Sequence, residues 1–179
     1  MTVTRTLLAL AALAAALLAP PAAAGPAAGA VSIRDALPAE GLIASSVAVF
    51  RTQAALNAHY YLADEAVLGL DGRAEAALAR YRTGGREALL LVVAYPSAAE
   101  ADQVYARFGR DFFSASFDPK SRRFLERIET GDHAAAARAG RVLLVVLEAP
   151  DPASCDGLLR RAEEKALIFL DSGTGPGLF

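Results

Sequence analysis

Residues 88–107 read ALLLVVAYPSAAEADQVYAR, and residues 142–161 read VLLVVLEAPDPASCDGLLRR. Each window begins with a short Leu- and Val-rich run that a proline ends, at Pro96 and at Pro150. Runs of this length, closed by turn residues, are the pattern of buried strands. Laid together at an offset of 54, the windows match without a gap and seven of the twenty positions are identical: Leu89/Leu143, Leu90/Leu144, Val92/Val146, Pro96/Pro150, Ala99/Ala153, Asp102/Asp156 and Arg107/Arg161. Leu and Ala matches come cheaply in this composition, so the shared punctuation carries more weight than the count.

A helix start follows each strand. Ser97 with Glu100 three residues on is a capping box, and Asp151 followed by Pro152 is an acidic N-cap with proline at the first helical position. One apolar stripe follows each cap: Ala98, Ala101, Val104, Tyr105, Phe108 and Phe112, then Cys155, Leu158, Leu159, Ala162, Ala166 and Phe169. Glycine turns precede both strands, at Gly84-Gly85 and at Gly140, and suggest hairpins with Ala74–Arg82 and His133–Arg138 as partner strands. Both partners are alanine-rich and helical by propensity, so the turns alone argue for strand. Ser46–Arg51 reads as a further strand joining from the N-terminal side.

The expected fold is α+β: a two-layer domain whose antiparallel sheet of about four to five strands comes from a duplicated strand-turn-strand-helix unit, with the helices on one face. The repeat units span about 74–113 and 133–169 within a single domain at 37–170. Between them, Phe112–Gly131 is an insertion carrying Phe113, Phe117 and Phe124, where Asp118-Pro119 is placed to open a short helix. Asp171–Phe179 holds three Gly and one Pro and is expected to be a disordered tail.

Ahead of the domain, Arg5 precedes an uncharged Leu/Ala run from Leu7 to Ala19, then Pro20-Pro21 and the small triplet Ala22-Ala23-Ala24. This is the order of a cleavable secretory signal peptide, residues 1–24, with Ala28-Gly29-Ala30 as a second possible exit. The apolar run is too short for a membrane span, which takes about 20 residues. An Ala/Gly/Pro-rich linker covers 25–36. The single cysteine, Cys155, excludes both lipid attachment at the cleavage site and an internal disulfide, so the exported domain must fold on packing alone. The 18 basic side chains, less Arg5, leave 17 against 20 acidic, a formal net charge of −3. No basic face is evident, so nucleic acid is not an expected partner.

Cys155 sits in the first turn of a helix, where a thiol can be activated, yet it lies on the apolar stripe and reads as a buried small hydrophobe. His59 and His133 are the only histidines, in no metal-ligand spacing; His133 reads as a turn or edge-strand residue. No nucleophile elbow, P-loop or dinucleotide fingerprint occurs, so no cofactor and no metal are implied. The one dense polar and aromatic stretch is NAHYYLADEAVLGLD, residues 57–71. Asn57, His59, Tyr60, Tyr61, Asp64 and Glu65 supply donors, acceptors and ring faces for a small-molecule site. The competing reading packs Tyr60, Leu62, Ala66 and Leu70 while Asp64 and Glu65 open a helix.

The runs ALNAHYYLADEAVLGL, ARY, LLLVVAYPSAAEADQVYARF and GRVLLVVLEAP together resemble a family of uncharacterised exported bacterial proteins known only as a domain of unknown function. The resemblance covers roughly Leu37 to Lys165. It implies an envelope location and an α+β fold, and it carries over no activity, cofactor or catalytic residue. The leading expectation is a non-catalytic periplasmic or secreted module that binds an unidentified small molecule or an envelope protein on the sheet face left open by the helices, without stable membrane insertion. The alternatives are a hydrolase-like or metal-assisted enzyme using His59 with Asp64 or Glu65, and a structural subunit of an envelope assembly. The oligomeric state is left open.

Overall fold

The computed structural model describes residues 31–62, 67–113 and 116–173. The expected leader, Asp64 and Glu65, and residues 174–179 lie outside the described residues. The chain is α+β, with one antiparallel sheet and three α-helices among the described residues. In chain order the elements are β1 (Ala48–Thr52), α1 (Gln53–Asn57), β2 (Asp71–Thr83), β3 (Arg86–Ala94), α2 (Ala98–Phe112), β4 (Arg123–Arg127), β5 (His133–Ala139), β6 (Val142–Ala149) and α3 (Pro152–Gly173). The sheet has six strands in the order β1-β2-β3-β6-β5-β4, more than the four to five expected.

The two alanine-rich partner segments are strands. Gly84 and Gly85 both take positive φ, 58° and 78°, as the tight hairpin between β2 and β3 requires. Gly140 (φ 54°) opens the turn between β5 and β6. Tertiary burial overrides propensity here: Ala76, Ala77, Ala79 and Ala134–Ala137 are all fully buried, and small side chains let helices and loops approach the sheet closely. His133 opens β5, an inner strand paired on both sides, and is not on an edge.

Leu91 of β3 pairs with Val145 of β6, and Leu90↔Val146 and Val92↔Leu144 flank that pair. Leu91 and Val145 are themselves 54 residues apart, so the central ladder is symmetric about the offset seen in the sequence. The helices break this symmetry. Leu90, Val92, Leu144 and Val146 bury against α3, together with Cys155, Leu158 and Ala162. Leu89, Leu91, Val93, Leu143 and Val145 point the other way and bury with Ala101, Val104, Tyr105 and Phe108 of α2. The helices therefore cover opposite faces, correcting the two-layer arrangement with helices on one face. The reason lies in the strands: both alternate sets of side chains are apolar, so both faces need cover. Helix α2 also has to carry the chain from β3 at the centre to β4 at the far edge.

Three segments differ from their sequence readings. The insertion supplies β4, since Asp118 closes a tight turn by accepting from the Lys120 amide (2.9 Å) and does not start a helix. Residues 33–36, read as the end of a linker, form a 3₁₀ turn with a capping box between Ser32 and Asp35, and bury Ile33 and Ala36 under α3. Asp171–Gly173, read as tail, belong to α3.

Gly109 of α2 has its bare Cα under the ring of Phe117, which stacks in turn on Phe113 and meets Tyr105 edge-on. A Cβ at Gly109 would lie 2.0 Å from that ring, so the ring must leave its place. Alanine gains about 1 kcal/mol of helix propensity, whereas displacing a buried Phe loses about 1.5–3 kcal/mol. Gly109→Ala is therefore expected to destabilise the protein by about 0.5–2 kcal/mol in urea unfolding, against the sign that propensity alone would give.

Candidate binding cleft

Because α2 lies over β5 and β6, its face of the sheet over β1–β3 is covered instead by α1 and by residues 58–62 and 67–70. Thr52 caps α1 by accepting from the Ala55 amide (3.3 Å), and the chain leaves α1 through amides of His59 and Tyr60 that both donate to the Leu56 carbonyl. The far end of the segment is clamped. Tyr95 Oη donates to the Leu68 carbonyl at 2.7 Å, and Arg107 donates through Nη2 (2.9 Å) and Nε (3.2 Å) to the carbonyl of Val67.

Between this segment and β1 lies a cleft of about 370 Å³. Its floor is Leu78 and Leu89, and its rim includes Ser45, His59, Tyr60 and Arg80. The His59 ring rests on Phe50, with centroids 5.0 Å apart. Tyr60 reaches across to β6 and donates from Oη to Glu148 Oε1 at 3.2 Å. Arg80 pairs with Glu87 at 3.3 Å. Ser46, also at the cleft, is structural: its Oγ donates to the Ile43 carbonyl (2.6 Å) and accepts from the Arg80 amide (2.8 Å), extending the edge of the sheet beyond β1.

The six residues singled out in the sequence separate. His59 and Tyr60 line the cleft. Asn57 holds the local backbone, its Oδ1 accepting from Gln53 Nε2 (3.0 Å) and from the Leu62 amide (3.4 Å). Tyr61 is exposed at the surface. Asp64 and Glu65 lie outside the described residues. The surface is a cleft beside the cover and not a whole open sheet face, because both faces carry a helix.

Glu148 carries no signal of this kind in the sequence, and a bulge in β6 brings it to Tyr60 at the margin of the cleft. Leu90 pairs with Val146 but Leu89 pairs with Glu148, so Leu147 is an extra residue; on the other side Ala135 pairs with Val146 and His133 with Ala149. Strict alternation would send Glu148 to the same face as Val146, into the core beneath α3. The bulge turns it to the face of Leu89, where Tyr60 meets it. The available signal was the acid itself, in an otherwise apolar run where the other window has Ala94.

Burial, then the charge of Glu148 and its hydrogen bond, push the Tyr60 hydroxyl up to about 12. Burial also raises Tyr105 to about 12, and Tyr81 and Tyr95 well above their ordinary range. Cys155 is fully buried at the foot of α3, and burial pushes its thiol up to about 12, so it stays a thiol that packs and not a thiolate. Among the described residues no group of three His, Cys, Asp or Glu could hold a metal ion, and no helix is long and apolar enough to cross a membrane. No family model, curated protein or solved structure matches the chain.

Raised tyrosine values favour the protonated, folded state. Their contribution is fully present below the unfolded value, about 10, and is lost as pH rises through the folded values. Unfolding free energy should therefore hold steady to about pH 10 and fall steeply between about pH 10 and 12. Tyr60→Phe should lower stability at neutral pH by about 1 kcal/mol through the lost bond to Glu148, and should make the alkaline fall shallower. Urea titrations of both proteins across this range test it; parallel curves would contradict it.

Proposed function

We propose that the chain is an exported, non-catalytic module of the periplasm or extracellular space that binds a small molecule in the cleft beside His59, Tyr60 and Arg80. The observation that carries this reading is the β6 bulge. A one-residue insertion in a central strand otherwise made of Val, Leu and Ala turns a carboxylate to the face of Leu89, where it bonds the phenol of Tyr60 at the margin of a cleft that also holds an imidazole and a guanidinium. Bulges recur where a strand must re-aim a side chain beside a site. A few convergent polar groups over an apolar floor is the usual composition of a small-ligand pocket. Tyr60 keeps its proton at neutral pH, which suits hydrogen bonding and not base chemistry.

Export rests on the order of charge, apolar run and small-residue exit in residues 1–24. We also infer that the sheet is built from a duplicated unit; the support is the offset of 54 and the central ladder that is symmetric about it.

Two measurements test the reading. Expressed from the first codon in a bacterium, the protein recovered outside the cytoplasm should begin at Gly25; recovery only in the cytoplasm with Met1 intact would contradict export. In NMR spectra of the purified protein screened with small amines, carboxylates and neutral ring compounds, binders should shift the His59 ring and Leu89 methyl signals together. Shifts confined to the α3 surface around Leu167 would place binding elsewhere and sink the cleft.

A further inference from the structure

We infer that the ligand of the cleft is a small zwitterion whose positive and negative groups are separated by an apolar stretch. This rests on the reading of the cleft as a binding site. Arg80 pairs directly with Leu89, and Leu89 with Glu148, so the three residues form one row across β2, β3 and β6. Directly paired residues project to the same face of a sheet, so cation, apolar side chain and anion stand side by side: Arg80 and Leu89 line the cleft, and Glu148 adjoins it through its bond to Tyr60. Two strand spacings separate the ends of the row, about 10 Å between backbones. After both side chains reach inward, the remaining span fits an extended chain of about three to five carbons between a carboxylate and an ammonium. The apolar middle would lie on Leu89, with the His59 and Tyr60 rings beside it.

The two ends are built differently. At the Glu148 end, Tyr60 donates to Oε1 at 3.2 Å, which fixes the carboxylate and leaves its other oxygen to receive an ammonium. At the Arg80 end the guanidinium pairs with Glu87, and both side chains are about half exposed, at 53% and 51%. An ion pair that open to water is weak, so a ligand carboxylate can displace Glu87. Glu87 is thus a competitor for Arg80, and removing its charge should improve binding.

The test is binding of glycine, 4-aminobutanoate, 5-aminopentanoate and 6-aminohexanoate to the full chain, followed by NMR shifts of the Leu89 methyl and His59 ring signals, with hexanoate and hexylamine as singly charged controls. Affinity should rise from glycine to the longer chains and exceed that of both controls. Arg80→Gln and Glu148→Gln should each weaken 5-aminopentanoate by about threefold to fivefold, the range of one partly exposed charge pair, and Glu87→Gln should strengthen it by a similar factor. Glutamine at 148 can still accept from Tyr60, so the fold is kept while the charge goes, and thermal unfolding of each variant checks this. Controls that bind at the cleft as well as the zwitterions, or Glu87→Gln that weakens binding, would overturn the zwitterion while leaving the cleft as a site. No shift at Leu89 or His59 with any of the six compounds would overturn the zwitterion, and if the wider screen is also silent there, the cleft as well.

Discussion

Everything in this molecule is arranged around the β3–β6 pair, whose side chains must be removed from water on both faces. Leu90, Val92, Leu144 and Val146 on one side and Leu89, Leu91, Leu143 and Val145 on the other are buried to 3% exposure or less. Fully burying a Leu or Val contributes about 1.5–3 kcal/mol, so leaving the four on either face bare would cost about as much as a small domain's whole stability. Two covers are therefore required. Helix α3 and the turn at Ile33–Ala36 form one; α2, α1 and residues 58–62 and 67–70 form the other.

The second cover is made of unlike pieces, and the cleft follows from that. To reach β4 at the far edge, α2 must pass over β5 and β6, leaving β1–β3 to a five-residue helix and the short stretches at 58–62 and 67–70. Those pieces are held by single side chains: Tyr95 and Arg107 at one end, Tyr60 at the other. A short helix and a clamped loop do not fill the space an α-helix would, and the remaining gap, floored by Leu78 and Leu89, is the cleft. The polar residues on its rim are tolerated because the gap is open to water, whereas the same groups beneath α3 would be stranded.

Much of the architecture could be read from residue order. The two apolar runs, the caps at Ser97 and Asp151, and the glycine turns at Gly84-Gly85 and Gly140 locate four strands and two helices. Burial of Cys155 follows from its place on the stripe of α3. The helix placement was misjudged although the signal was present, since unbroken Leu/Val runs without polar alternation belong to strands buried on both faces. The fourth strand was misread because Asp118-Pro119 serves a turn as well as it serves a helix start. Of the candidate site, His59 and Tyr60 were legible from polarity and aromatic density, while Asn57 proved to be a backbone support.

By itself, then, the order of residues determined the four inner strands, the two long helices and the glycine turns between paired strands, because local apolar periodicity, capping and glycine conformation act over a few neighbours. Only the tertiary structure decided which face each helix covers, that β4 lies at the far edge, and that Glu148 meets Tyr60 from 88 residues away. The last depends on one extra residue, Leu147, in the pairing of β6 with its neighbours. Register between strands is set by which partners meet across the sheet, and a shift of one residue exchanges the faces. No window of sequence contains both partners, so the side to which Glu148 turns is settled only when the sheet is assembled.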